Sequence, residues 1–210
     1  PRSTEITFAD RYSFALMDAK AVLDSSEQEM SRLAANFYND TYLMDQNACS
    51  TPHMICWIGE GEQYRKAQKR FWEHISKEAE TLEDIKASEK FTTLCSYLME
   101  LDTKQTDRYQ NLLYVISLNK LPENITKLRG RYGLFFQKEF QNVQDTLVHL
   151  NDTRVQTCVV YGVDEKEIKK EVIHMHMLGI DRVVPIGKSL DIDLNWDGYD
   201  MIRGLSRKIG

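Results

Sequence analysis

No apolar run in these 210 residues approaches the ~20 residues a helix needs to cross a bilayer, and no secretory leader opens the sequence. The four cysteines, Cys49, Cys56, Cys95 and Cys158, include no Cys-x-x-Cys pair and no histidine at zinc-ligand spacing. That argues against a disulfide framework and against a structural zinc site. A basic excess is missing too: 27 Lys and Arg against 32 Asp and Glu leave a net charge of -5, which is no electrostatic footprint for nucleic acid. The most basic stretch, Lys127 to Arg131, is short enough to be a solvated turn. There is no internal repeat and no low-complexity linker. With 42% hydrophobic and 28% charged residues, the expectation is an ordinary cytoplasmic globular protein that binds no metal and spans no membrane.

The chain is long enough for one large domain or two small ones, and could bury roughly 70% of its unfolded surface. An apolar strand is expected over Ser13 to Met17. Ser26 and Glu29 then form a capping box ahead of Met30, Leu33, Ala34, Phe37 and Tyr38, which recur on one face of a helix over 26–40. A polar segment, Asp45-Gln46-Asn47-Ala48-Cys49-Ser50-Thr51-Pro52, leads into an apolar strand over 53–58. After the turn Gly59-Glu60-Gly61, an amphipathic helix carries Tyr64, Ala67, Phe71, Trp72 and Ile75. A third helix is expected from about Asp84 to Asp102, with Phe91, Leu94, Cys95 and Leu98 as its core stripe.

Leu112 to Ser117 and Leu134 to Phe136 suggest two more strands, with the chain broken at Leu121-Pro122 between them. The end is sharper. A strand over 155–161 leads to a helix capped by Asp164 and Glu167, bearing Ile168, Val172 and Met175, and closed by Gly179; Val183-Val184 is the next strand. Such a β-α-β unit makes its two strands parallel, with a right-handed crossover. Together the elements indicate an α/β domain with a largely parallel sheet flanked by helices.

Cys56 and Cys158 lie in apolar strands and Cys95 on a helical stripe, where a thiol acts as a small hydrophobe. Cys49 alone lies in a polar loop, which makes it the candidate nucleophile. Its chemistry needs a thiolate fraction, an electrophile held within about 3–3.5 Å, and donors for a developing oxyanion. Backbone N–H groups of the loop, or the side-chain amides of Asn47 and Gln46, are candidates for the last.

Residues 12–75 resemble the catalytic half of the aldehyde dehydrogenase superfamily. The likeness rests on Phe14-Ala15-Leu16-Met17-Asp18, on Met30 to Tyr38, on the nucleophile loop Gln46-Asn47-Ala48-Cys49-Ser50, and on Met54 to Ile58. Within it, Asn47-Ala48-Cys49-Ser50-Thr51-Pro52 is most similar to the long-chain acyl-CoA reductases, the fatty-acid reductase component of bacterial bioluminescence systems. Gly179 to Lys188, Trp196-Asp197-Gly198-Tyr199-Asp200 and Leu205-Ser206-Arg207 are similar to that family's C-terminal signature, while 85–150 aligns only loosely.

The resemblance implies an NADPH-dependent reductase in which Cys49 takes a fatty acyl group from an acyl-CoA or acyl-protein donor as a thioester; Asn47, as oxyanion donor or loop support, is a reading of the loop residues alone. Hydride then releases a fatty aldehyde. It also implies acyl-protein synthetase and acyltransferase partners, and allows a homo-oligomer. The family's cofactor-binding half precedes the matching region, so the 210 residues are expected to form a single thioester-forming domain, with the NADPH-binding domain, the glutamate base and the oxyanion asparagine outside it. Gly59-Glu60-Gly61-Glu62 is no substitute. It lacks the third glycine of a dinucleotide fingerprint and would set two carboxylates against a pyrophosphate.

Two other readings stay open from the residues. One is a noncatalytic α/β interaction module. The other is a cysteine-dependent acyl hydrolase with His53 as base, although a histidine at a strand start is more often packed or solvated. His174 and His176, two apart on a helix, make a poor metal pair; Asp191-Ile192-Asp193 reads as a solvated loop and Trp196-Asp197-Gly198 as a structural corner.

Overall fold

The computed structural model describes residues 4–8, 10–79 and 86–207. Seven strands form one sheet: β1 (Tyr12–Asp18), β2 (Pro52–Ile58), β3 (Thr103–Tyr109), β4 (Leu113–Leu118), β5 (Leu134–Phe140), β6 (Val155–Tyr161) and β7 (Arg182–Pro185), in the spatial order β3-β4-β5-β2-β1-β6-β7. Every neighbouring pair is parallel except β3 with β4. Parallel strands at the centre are covered on both faces, which is why the first six residues of each of β1, β2 and β6 are all buried and mostly apolar.

The helices are α1 (Ala19–Asp24), α2 (Glu27–Thr41), α3 (Glu62–Glu78), α4 (Ala87–Glu100), α5 (Val143–His149), α6 (Glu165–His174) and α7 (Met201–Leu205). The Ser26–Glu29 capping box is formed as expected, and Met30, Leu33, Ala34 and Phe37 are buried beneath α2. On that face of the sheet α1, α2 and α3 cover Ala15, Met17, Ile55, Trp57 and Phe135. Phe37, Phe71, Trp72 and Phe135 pack there with ring centroids 4.9–6.0 Å apart. Both buried indoles donate to one acceptor, Gln137 Oε1, from Trp57 at 3.0 Å and Trp72 at 2.8 Å. Buried polar groups are thereby paired rather than stranded. The opposite face holds Phe14, Leu16, Met54, Cys56, Phe136 and Cys158 under residues of α4, α5 and α6.

Several expectations shift. The first residues of the 84–102 helix lie outside the described residues, and α4 ends at Glu100. Its inward face is Lys90, Leu94, Tyr97 and Leu101; Phe91 and Leu98 are exposed and Cys95 only half-buried. The stripe at 91, 95 and 98 is therefore not core, because packing turned the helix toward the face one residue earlier. Helix α6 stops at His174 with Met175 as its C-cap, and His176, at φ 50°, is already past it. Gly179 serves a different purpose from helix closure: a Cβ there would lie 2.2 Å from the Asp152 carbonyl. Residues 195–200 form a short hairpin, β8 (Asn195–Trp196) and β9 (Tyr199–Asp200), turned by Asp197 and Gly198 at φ 52° and 73°. Positive φ at both turn residues is what the Asp-Gly pair favours. Residues 191–193 are loop, as read.

Candidate active site

Cys49 lies just ahead of β2, so the site is at the N-terminal edge of the parallel strands. A rule of thumb for open α/β sheets places ligands at the carboxyl ends instead. At that opposite edge Asp18 caps α1, its carboxylate accepting Ala21 N–H at 2.8 Å, and Gly162 packs directly on Ala21.

The loop is built from consecutive tight turns. After α2 a 3-10 turn, Tyr42–Met44, is followed by two left-handed residues, Asp45 and Gln46 at φ 49° and 59°. Gln46 is buried: its Oε1 accepts Gly133 N–H at 2.8 Å and its Nε2 donates to the Leu134 carbonyl at 3.0 Å. Both ends of this amide clamp the loop to β5. Asn47 is exposed and its Nδ2 donates to the Met44 carbonyl at 3.1 Å, bracing the turn. Thr51 N–H then closes a turn onto the Ala48 carbonyl at 3.0 Å. Among the described residues no hydrogen bond engages the N–H of Cys49 or Ser50, the two central residues of that turn.

Two side chains distant in sequence fix the thiol's surroundings. Ser13 Oγ, on β1, donates to the Cys49 carbonyl at 2.8 Å while accepting Thr157 N–H of β6 at 3.2 Å. Asp40, buried at the end of α2, gives its carbonyl to Thr51 Oγ1 at 2.9 Å. Its carboxylate accepts Gly187 N–H at 2.6 Å and Ser189 N–H at 2.9 Å. Burial pushes the Asp40 carboxyl above the usual carboxylate range, and those two N–H bonds oppose it.

The turn that Asp40 holds in turn holds Arg182. That guanidinium donates to the carbonyls of Ser189, Lys188 and Asp191 at 2.8, 3.0 and 2.6 Å, and lies 4.8 Å from the centre of the Trp196 ring. Burial lowers its pKa; the negative charges of Asp191, Asp193, Asp40 and the Cys49 sulfur oppose this. Arg182 is thus a cation fixed by the carbonyls of this turn and the Trp196 face. The hairpin carrying Trp196 is anchored by Asp197, which pairs with Arg11 at 3.2 Å and accepts from Gln156 Nε2. Trp196-Asp197-Gly198 is a structural corner, and one of its rings lies against the site's cation.

The other thiols differ. Burial pushes Cys56 and Cys158 far above the ordinary cysteine value, and Cys95 lies on α4. His53 does not serve as a base for Cys49. It is buried, stacked on Tyr12 at 5.7 Å, and its pKa is lowered to about 3, chiefly by burial and then by Arg129. Among the described residues no group of three or more His, Cys, Asp or Glu side chains could hold a metal, and no helix is long and apolar enough to cross a membrane. Gly59-Glu60-Gly61 follows the C-terminal end of β2, away from Cys49.

This largely parallel sheet with its flanking helices is the fold of aldehyde dehydrogenases. Solved structures agree. Succinic semialdehyde dehydrogenase from Streptococcus pyogenes, in complex with NADP+, is 10% identical with a TM-score of 0.55, over 85% of this chain and 40% of that one. Aldehyde dehydrogenase 21 from Physcomitrella patens, in complex with succinate, is 9% identical with a TM-score of 0.52, over 90% and 42%. An NAD-dependent aldehyde dehydrogenase from Sinorhizobium meliloti is 10% identical with a TM-score of 0.53, over 89% and 38%. The chain spans less than half the length of each, and no curated protein matches its sequence. More particularly, the chain belongs to the acyl-CoA reductase (LuxC) family, which it matches over residues 1–208.

Proposed function

We propose that this chain is the thioester-forming domain of a nicotinamide-dependent long-chain acyl-CoA reductase, with Cys49 as its nucleophile. The observation that carries this is the setting of the thiol: a half-buried cysteine in a turn whose two central N–H groups have no hydrogen-bond partner among the described residues, its carbonyl held by Ser13. The Cys49 thiolate adds to the carbonyl carbon of the acyl thioester, and the bond to the donor sulfur breaks as the tetrahedral oxyanion collapses. The donor leaves as a thiolate that takes up a proton, and the acyl group stays on Cys49. Dividing the reduction in this way suits a group that both attacks and leaves readily. The Cys49 and Ser50 N–H groups are the chain's own oxyanion donors, and Asn47 braces the loop. Exposed Leu43 and Met44, just upstream, supply apolar surface for a fatty chain.

When bound, NADPH supplies the hydride that converts the thioester to the aldehyde and frees the Cys49 thiolate. The acidic Gly59–Glu62 turn does not fit a dinucleotide, so in this reading the cofactor domain lies outside these 210 residues. The family's synthetase and acyltransferase partners, and a homo-oligomer, belong to the same proposal.

The test is intact-mass measurement after incubation with a long-chain acyl-CoA. The expected result is a single acyl adduct absent from Cys49→Ala. An adduct on Cys95 with Cys49 unmodified overturns the reading.

A further inference from the structure

On the β5 side of the Cys49 loop a cleft of about 310 Å3 opens at the same edge of the sheet. It is lined by Asp10, Gln46, Asn47, His53, Arg129 and Arg131, with the Gly130 backbone between the arginines. Nothing in the acyl-transfer chemistry above uses the arginines or the histidine. Arg129 is held rigidly: its Nε donates to the Thr126 carbonyl at 3.0 Å and its guanidinium lies 5.4 Å from the centre of the Tyr12 ring. Its outer nitrogen pairs at 2.9 Å with Asp10, whose side chain is 79% exposed. Arg131 is exposed and has no ion pair among the described residues. His53 is 2% exposed and its Nδ1 has no hydrogen-bond partner.

Two guanidinium groups and a single, solvated carboxylate therefore line one cleft, and this excess of positive charge favours an anion. Planar guanidinium forks match phosphate oxygens in pairs, and a phosphate, more highly charged than Asp10, can take over the outer face of Arg129. The cleft reaches Asn47, two residues from the nucleophile, so a ligand held there can extend to Cys49.

We propose that Arg129 and Arg131 form a phosphate-binding subsite for the nucleotide portion of a ligand whose reactive end reaches Cys49. This rests on the acyl-transfer reading of Cys49. The phosphate chemistry is shared by coenzyme A and by a nicotinamide dinucleotide, and the experiment separates them.

CoA, NADPH and inorganic pyrophosphate are titrated calorimetrically into wild type, Arg131→Met and the Arg129→Met/Arg131→Met double variant. In parallel, Cys49 acylation is compared for a fatty acyl-CoA and for the phosphate-free N-acetylcysteamine thioester. The expected result is a Kd for pyrophosphate and for one nucleotide raised about tenfold in the double variant, and about threefold in Arg131→Met. Weaker CoA binding with a matching loss of preference for acyl-CoA over the phosphate-free thioester assigns the cleft to the acyl donor. Weaker NADPH binding with that preference intact assigns it to the cofactor. Arg131 is at the surface, so its single variant decides the matter even where the double variant fails to fold. Kd values for all three ligands that match wild type overturn the proposal, as does absence of binding to wild type. If neither thioester modifies Cys49 in wild type, the acyl-transfer reading fails, while the calorimetric comparison still decides the cleft.

Discussion

Across 149 residues of chain, the buried Asp40 carboxylate accepts the Ser189 N–H at 2.9 Å. The same residue's carbonyl takes the Thr51 hydroxyl two positions past Cys49, so one side chain and its backbone tie the Cys49 loop to the turn that holds Arg182.

Asp40→Asn tests that tie. An amide cannot accept equally from Gly187 and Ser189 N–H, because one of its two ends is itself a donor. The expected cost is about 1–3 kcal/mol of unfolding free energy, the penalty for a buried N–H without an acceptor. Cys49 acylation should slow with it. Urea unfolding curves that superimpose on wild type would show that the carboxylate does not hold the turn.

Gln46→Ala should be at least as damaging to the loop's base. It removes the acceptor for Gly133 N–H and the donor for the Leu134 carbonyl together, leaving two buried backbone groups unpaired where β5 begins. We expect a loss of about 2–4 kcal/mol, read by guanidinium denaturation. Gln46→Glu should not restore it, because a carboxylate has no N–H for Leu134.

What could be seen in the sequence follows from how local its cause is. The Ser26–Glu29 box, the α2 stripe and the apolar strands β1, β2 and β6 are set by neighbours a few residues away, and all are found in place. Strand β3 escaped notice because Thr103–Tyr109 is a polar edge strand paired on one side only, with nothing apolar to alternate. Helices α1 and α5 are too short for a periodic pattern. Cys49 stood out because its loop is polar, but Asp40, Ser13 and Arg182 looked like an ordinary helix end, a strand start and a strand flank. Their roles come from partners across the sheet. A signal was available in one case: Asp40 falls on the buried side of α2, one turn after Phe37, where a charge needs a partner.

His53 makes stability depend on acid. Its pKa is about 3 when folded against an ordinary 6.5, so below pH 6.5 the unfolded chain binds the extra proton. A depressed folded value gives stability that is complete above pH 6.5 and is lost as pH falls toward 3. At about 1.36 kcal/mol per unit, the loss between pH 6.5 and 5 is about 2 kcal/mol. His53→Gln should flatten that slope relative to wild type in urea titrations at the two pH values. An identical slope in the variant would mean another group carries the acid sensitivity.

The Arg182 guanidinium is spread over three backbone carbonyls and the Trp196 face, so its charge cannot turn toward Cys49 without leaving them. Arg182→Met removes the three hydrogen bonds together with the charge, and Arg182→Lys keeps the charge but not the fork that matches three acceptors. We expect Arg182→Met to lose about 1–3 kcal/mol of unfolding free energy and Arg182→Lys less, read by urea unfolding, with Cys49 acylation falling as the 187–191 turn loosens. Because the guanidinium acts here through hydrogen bonds to backbone carbonyls rather than through an exposed ion pair, the loss should persist at raised ionic strength. Unfolding curves of both variants that superimpose on wild type would show that Arg182 does not hold the turn.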